Sequence, residues 1–189
     1  AAAARLLGQD AQTAAGTMSI AASEASGLKE SFGTMVKPLQ AGLAGRNGVL
    51  AALLADAGLT ASDRVIDGPQ GLLVAMQANR RELGDVGKAL GNTWEIVDDG
   101  ITVKLYPSCA ATHPTIDALL DLRAEHGFVA DEVEQIEIGV DAVTPTVLIY
   151  DRPVCGLECK FSMHFCAAAA VACGCVDIGT FESGLSDPV

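Results

Sequence analysis

Trp94-Glu95-Ile96-Val97-Asp98-Asp99-Gly100-Ile101-Thr102-Val103-Lys104-Leu105-Tyr106 carries the change of pattern that divides this chain. Two short runs rich in β-branched and aromatic residues flank the turn sequence Asp98-Asp99-Gly100, an arrangement that predicts paired strands. Farther on, Val133 to Val140 alternates apolar with polar or small residues, as a half-buried strand does. Between the two, Thr112 to His126 places Ile116, Leu119, Leu120 and Leu122 at helical spacing. Residues 92–189 are therefore expected to form an α+β domain with at least three strands.

Upstream, residues 1–91 read as alanine-rich helices punctuated by glycine. Met18-Ser19-Ile20-Ala21-Ala22 and the run from Leu43 to Leu54 place small residues on nearly every face, which lets helices pack closely. Gly27 and Gly58 stand where helix C-caps are expected, and Asp67-Gly68-Pro69 marks a turn and a restart. The expected architecture is thus a mainly α-helical domain joined to a smaller α+β domain. The chain opens inside a helical pattern without an N-cap and stops at Asp187-Pro188-Val189 after a further helix and loop, as an excerpt of a longer protein would.

With 50% hydrophobic and 19% charged residues, the 189-residue chain can bury a core and is not intrinsically disordered. Its 24 acidic residues outweigh 12 basic ones, giving a net charge of −12, and no Lys/Arg cluster tracks a phosphate backbone. Nucleic acid is not an expected partner. No apolar run reaches the ~18 to 20 residues of a membrane-spanning helix, and no basic segment followed by an apolar signal core opens the chain, so a cytoplasmic protein is expected. Cys109, Cys155, Cys159, Cys166, Cys173 and Cys175 lie mostly in apolar sequence and are expected to be reduced. Cys155, Cys159 and His164 raise a metal site, but no C-x-x-C pair is present and burial is favoured, so no metal is expected.

Chemistry is concentrated in three places. Lys37 lies in Gly33-Thr34-Met35-Val36-Lys37-Pro38-Leu39-Gln40-Ala41-Gly42, where Pro38 is expected as the first helical residue. A lysine at a helix N-terminus adds a full charge to free N–H groups, a setting that suits a carboxylate or phosphate. A solvated loop lysine fits the same spacing. Lys104 stands in an otherwise apolar run that leads into Tyr106-Pro107-Ser108-Cys109-Ala110-Ala111-Thr112-His113-Pro114. That loop either aims Lys104, Cys109 and His113 into one cleft or makes Thr112 a simple N-cap, and local spacing leaves both open. Tyr150-Asp151-Arg152-Pro153 precedes Glu158-Cys159-Lys160-Phe161-Ser162; Tyr150 is a proton-donor candidate and Arg152 or Lys160 a carboxylate grip. No G-x-S-x-G elbow, phosphate-binding loop or H-E-x-x-H is present, which disfavours serine hydrolases, P-loop enzymes and zincins.

In order along the chain, Ala21 to Leu28, Phe32 to Gly42, Asn47 to Ala55, Lys104 to Asp117 and Lys160-Phe161-Ser162 resemble the MmgE/PrpD family, which includes 2-methylcitrate dehydratase, cis-aconitate decarboxylase and iminodisuccinate epimerase. The resemblance implies a helical domain joined to an α+β lid, a homodimer, no cofactor, and a metal-free active site at the domain junction. It implies as well that the chain is the central portion of the family sequence, with active-site Asp and His residues preceding it. By motif, Lys37 and Lys104 match active-site lysines and Tyr150 the tyrosine before the R-P turn; Cys109 and His113 fall in the same loop region. Gln40 stands where the family commonly has His, a departure that bears on the substrate.

The resulting expectation is a metal-independent lyase for a small di- or tricarboxylate, foremost a 2-methylcitrate dehydratase-like hydro-lyase. Lys37 and Lys104 would hold carboxylates and stabilise carbanion-like charge, Tyr150 would donate the proton, and Cys109, His113 and Gln40 would line the substrate. Cis-aconitate decarboxylase-like or iminodisuccinate epimerase-like activity begins from the same held polycarboxylate. A truncated, non-catalytic chain serving as an oligomerisation or binding module is the rival from another class. An iron–sulfur hydratase is poorly supported by the cysteine spacing.

Overall fold

The computed structural model describes residues 1–76 and 86–182. The helical reading of 77–85 and the closing loop at 187–189 lie outside the described residues. Backbone proximity divides the chain into two compact units, one of residues 1–30 and 36–101, the other of 31–35 and 102 onward. No helix among the described residues is long and apolar enough to cross a membrane.

The first unit is helical, as its composition predicts. It contains α1 (Ala2–Leu6), α2 (Ala11–Ser23), α3 (Val36–Asp56), α4 (Leu72–Ala75), α5 (Val86–Ala89) and α6 (Glu95–Asp98). The Asp10 carboxylate starts α2 by accepting from the Thr13 N–H at 2.8 Å, which holds its pKa below the ordinary carboxylate value. Helices α2 and α3 pack through small residues: Ala51, Ala52 and Thr17 are buried, and the contact is laced with polar links. Thr17 Oγ1 donates to Gln9 Oε1 at 2.6 Å, Gln9 Nε2 donates to the Ala52 carbonyl at 2.7 Å, and Ser19 Oγ donates to the Ser62 carbonyl at 2.7 Å. Close packing of small residues brings backbone carbonyls within side-chain reach, so hydrogen bonds supply specificity where apolar volume is scarce. Gly58, with φ +92°, ends α3: the Leu59 N–H donates to the Leu54 carbonyl and the Gly58 N–H to the Ala55 carbonyl. That paired reversal requires a left-handed residue and confirms the expected cap.

The second unit holds α7 (His113–His126), α8 (Thr144–Val147), α9 (Gly156–Cys159), α10 (Met163–Cys173) and α11 (Ile178–Glu182). Its core is made by α7 against α10, with Ile116 and Leu119 facing Phe165, Cys166, Ala169 and Ala170, and Phe181 of α11 closing one side. The Phe165 and Phe181 rings lie 5.9 Å apart. Ser162 caps α10 by accepting from the Phe165 N–H at 3.1 Å, and Arg123 reaches the Val171 carbonyl to tie α7 to α10.

The expected α+β character of residues 92–189 is not what the structure has: among the described residues there is no strand. From Trp94 to Gly100 the backbone closes on itself, the Asp99 and Gly100 N–H groups both donating to the Glu95 carbonyl, so the Asp-Asp-Gly sequence ends a helical turn instead of a hairpin. Ile101, Val103 and Leu105 are 72%, 79% and 74% exposed, and Thr102 and Lys104 between them are exposed as well, so this run has no buried face. Within residues 133–140 the period holds only from Gln135 to Ile138: Ile136 and Ile138 pack on the α7–α10 core while Gln135 and Glu137 face water, but Val133 packs on the same core out of phase and Val140 is exposed. A helix, not a neighbouring strand, covers the inner face, and no ladder forms along the backbone. Alternation marks a wet and a dry side only where something covers one of them, and pairing needs a second extended backbone, which the pattern does not encode.

Candidate active site

Lys37 and Gln40 belong to the first unit, and Lys104, Cys109, His113 and Tyr150 to the second. Helix α3 begins at Val36, two residues before the expected start, so Lys37 is half-buried within its first turn. Pro38 is the third helical residue, where the missing N–H is one that has no intrahelical acceptor. Gln40 is occupied: its Nε2 donates to the Leu28 carbonyl at 3.1 Å, and its side chain packs against Gly27.

In the second unit the loop before α7 gathers the other candidates. The Lys104 ammonium donates to the Ser108 carbonyl at 2.8 Å. The Cys109 N–H donates to the Lys160 carbonyl at 2.9 Å, and the Tyr150 N–H to the Phe161 carbonyl at 3.4 Å, so the loop and the tyrosine hang from consecutive carbonyls. The Tyr150 hydroxyl lies 3.5 Å from the Gly33 carbonyl. Gly33 has φ +79°, and a Cβ there would stand 2.6 Å from Tyr150 Cε2, so the ring needs glycine beneath it. The glycine-flanked loop of the sequence reading thus serves, within this unit, to seat Tyr150.

His113 opens α7 with its ring edge-on to Tyr106, centroids 5.2 Å apart. Its Nε2 is buried and has no hydrogen-bond partner among the described residues. A buried ring nitrogen without a partner is rare and costly, and it marks a place where a polar group from a ligand would be welcome. Tyr106 itself donates to Asp117 Oδ1 at 2.5 Å. That carboxylate, followed by burial, pushes the Tyr106 phenol up to about 12, so it stays protonated and acts as a fixed wall. Burial likewise pushes the Cys166 thiol up to about 12 and raises Cys159, leaving both as neutral packing groups. Neither of the cationic grips proposed at the 150–160 loop is assembled as one: Arg152 is exposed, and the Lys160 ammonium sits 5.8 Å over the Phe181 ring.

Tyr106 and Asp117 escaped the sequence reading because they are eleven positions apart, on a loop and a helix, and no periodicity links them. A hollow of about 260 Å³, walled by Ile138, Leu148 and Met163 with Asp151 and His164 3.7 Å apart among its lining residues, was equally invisible. Among the described residues no three His, Cys, Asp or Glu side chains come together as metal ligands.

The family model for the MmgE/PrpD N-terminal domain matches residues 1–82, and that for the C-terminal domain matches residues 106–188. The chain belongs to the MmgE/PrpD family. Among curated MmgE/PrpD relatives, a cis-aconitate decarboxylase-like protein, oryM, of Aspergillus oryzae is 29% identical over 197 residues, covering 96% of this chain and 40% of the relative. Cis-aconitate decarboxylase of Aspergillus terreus is 33% identical over 129 residues, 65% of this chain and 26% of the relative. The mouse cis-aconitate decarboxylase is 28% identical over 191 residues, 97% of this chain and 38% of the relative. The chain therefore spans less than half the length of these relatives. Lys37 falls within the residues matched by the N-terminal model, and Cys109, His113 and Tyr150 within those matched by the C-terminal one.

Proposed function

We propose that this chain carries the carboxylate-holding part of a metal-independent lyase that works as a homodimer on a small tricarboxylate, with decarboxylation of cis-aconitate or a close relative as its reaction. The observation that carries the reading is the buried, unpartnered His113 Nε2 on the loop that also holds Lys104. The relatives named as cis-aconitate decarboxylases favour decarboxylation over the dehydration of 2-methylcitrate that the sequence put first.

The chemistry asks for few groups. When a carbon–carboxylate bond breaks, CO2 departs and its electron pair stays on carbon, delocalised toward a remaining carboxylate. Cations at that carboxylate stabilise the charge, the role of Lys37 and Lys104. A proton then closes the reaction at carbon, from Tyr150 in this reading, while His113 orients the substrate by a hydrogen bond to a carboxylate.

The test is to incubate the purified protein with cis-aconitate and, separately, with 2-methylcitrate, and to follow products by NMR. The expected result is CO2 release from cis-aconitate, lowered by about 100-fold or more in Lys104→Met and in Lys37→Met, the cost of removing one transition-state charge partner. Loss of water from 2-methylcitrate without CO2 would return the dehydratase reading. Neither turnover nor binding of either acid would leave the chain as a non-catalytic module.

A further inference from the structure

The Lys104 ammonium is held by a backbone carbonyl, and that carbonyl belongs to a residue that is itself fixed by a buried chain of hydroxyls. Ser108 Oγ lies 2.8 Å from Thr112 Oγ1, and Ser108 and Thr112 are 4% and 0% exposed. Thr112 Oγ1 donates to the Cys109 carbonyl at 2.8 Å, and the Thr112 N–H donates to the same carbonyl at 2.9 Å. A threonine hydroxyl has one proton. Because that proton goes to Cys109, the proton shared between the two hydroxyls belongs to Ser108, and the chain runs one way: Ser108 to Thr112 to the Cys109 carbonyl. The Cys166 thiol, which donates to the Cys159 carbonyl at 3.5 Å, is fully buried beside them and lies within reach of both hydroxyls.

This spends the Thr112 hydroxyl in an informative way. The sequence reading offered it as the N-cap of α7, yet it makes no capping bond to that helix. Its bonds go backward, to Ser108 and Cys109 in the loop before the helix, and Ser108 presents the carbonyl that receives Lys104.

We propose that Thr112 is a positioning residue for Lys104: its hydroxyl, through Ser108, sets the direction of the carbonyl that holds the lysine ammonium. The proposal rests on the reading of Lys104 as a substrate-holding group, but its test reads the lysine and not turnover. Thr112→Val keeps the shape and removes the hydroxyl; Thr112→Ser restores it; Ser108→Ala cuts the chain one bond earlier.

The purified protein is labelled with a limiting amount of acetic anhydride, and acetylation of each lysine is followed by peptide mass spectrometry. With the chain cut, Lys104 should label about fivefold faster in Thr112→Val and Ser108→Ala, the factor a single net hydrogen bond supports. Lys29, Lys37, Lys88 and Lys160 should be unchanged, and Thr112→Ser should label like the wild type. A folded Thr112→Val protein whose Lys104 labels at the wild-type rate overturns the proposal. Should Thr112→Val label faster at every lysine, as an unfolded chain does, Ser108→Ala decides, and unchanged Lys104 labelling there overturns it equally. Absence of turnover in the wild type would count against the lyase reading and leave this measurement standing.

Discussion

At the scale of a residue, the Tyr106–Asp117 contact makes the sharpest chemical statement. The folded state raises the Tyr106 pKa from an ordinary value of 10.0 to about 12, chiefly because Asp117 accepts its proton in a hydrogen bond and secondarily through burial. The fold thus favours the neutral phenol. The stability it contributes is fully present below pH 10 and is lost as pH rises toward about 12. Tyr106 and Tyr150 are the two tyrosines of the chain, so Tyr150→Phe leaves Tyr106 as the single reporter. Its tyrosinate absorption should titrate with a midpoint near 12, and Asp117→Asn should draw that midpoint back toward 10. A midpoint untouched by Asp117→Asn would assign the shift to burial instead. Residues of this kind were half legible in the sequence. Lys104, Cys109 and His113 stood out because an apolar run, a small-residue loop and a helix start follow one another. What Lys104 touches was hidden, since a backbone carbonyl carries no sequence signature.

Among the elements, α10 bears the most weight in the second unit. It is capped by Ser162, whose side chain is fully buried, and its Phe165 fills the space between α7 and α11. Ser162→Ala should cost about 1 kcal/mol, and Phe165→Ala about 3 to 5 kcal/mol, read as shifts in the denaturant midpoint with an unchanged slope. A Ser162→Ala effect as large as that of Phe165→Ala would mean that the cap holds this helix as strongly as the packed ring does. The elements also show where sequence reading stops. Helix α7 is legible because a helix satisfies its own backbone, so the local pattern from Thr112 to His126 suffices. The segment at 94–106 reads as paired strands from two apolar runs around Asp98-Asp99-Gly100, and that at 133–140 as a strand from its alternation. The alternation holds at 135–138 and fails at 101–105, where every residue is exposed, and neither segment carries the second extended backbone that a ladder requires.

For the whole molecule the governing quantity is the charge of −12. An excess of like charge strains the compact state, and the strain is long-ranged when the screening length is about 30 Å at 0.01 M salt and much shorter near 1 M. The melting temperature should therefore rise by a few degrees as sodium chloride is raised from about 0.01 M to about 0.5 M, measured by calorimetry. A flat or falling trend would show that local pairs outweigh the net field. Sodium chloride suits this test because strongly excluded salts such as sulfate stabilise by another route. The same acidity has a local use. The open backbone of 133–140 is a template on which another extended chain could add, the opening step of fibril growth. Asp131, Glu132, Glu134, Glu137 and Asp141 line that stretch with no lysine or arginine among them, so a second copy laid alongside in register would stack carboxylate on carboxylate. What reads in the composition as a surplus of acid is, at this one segment, a gatekeeper against aggregation.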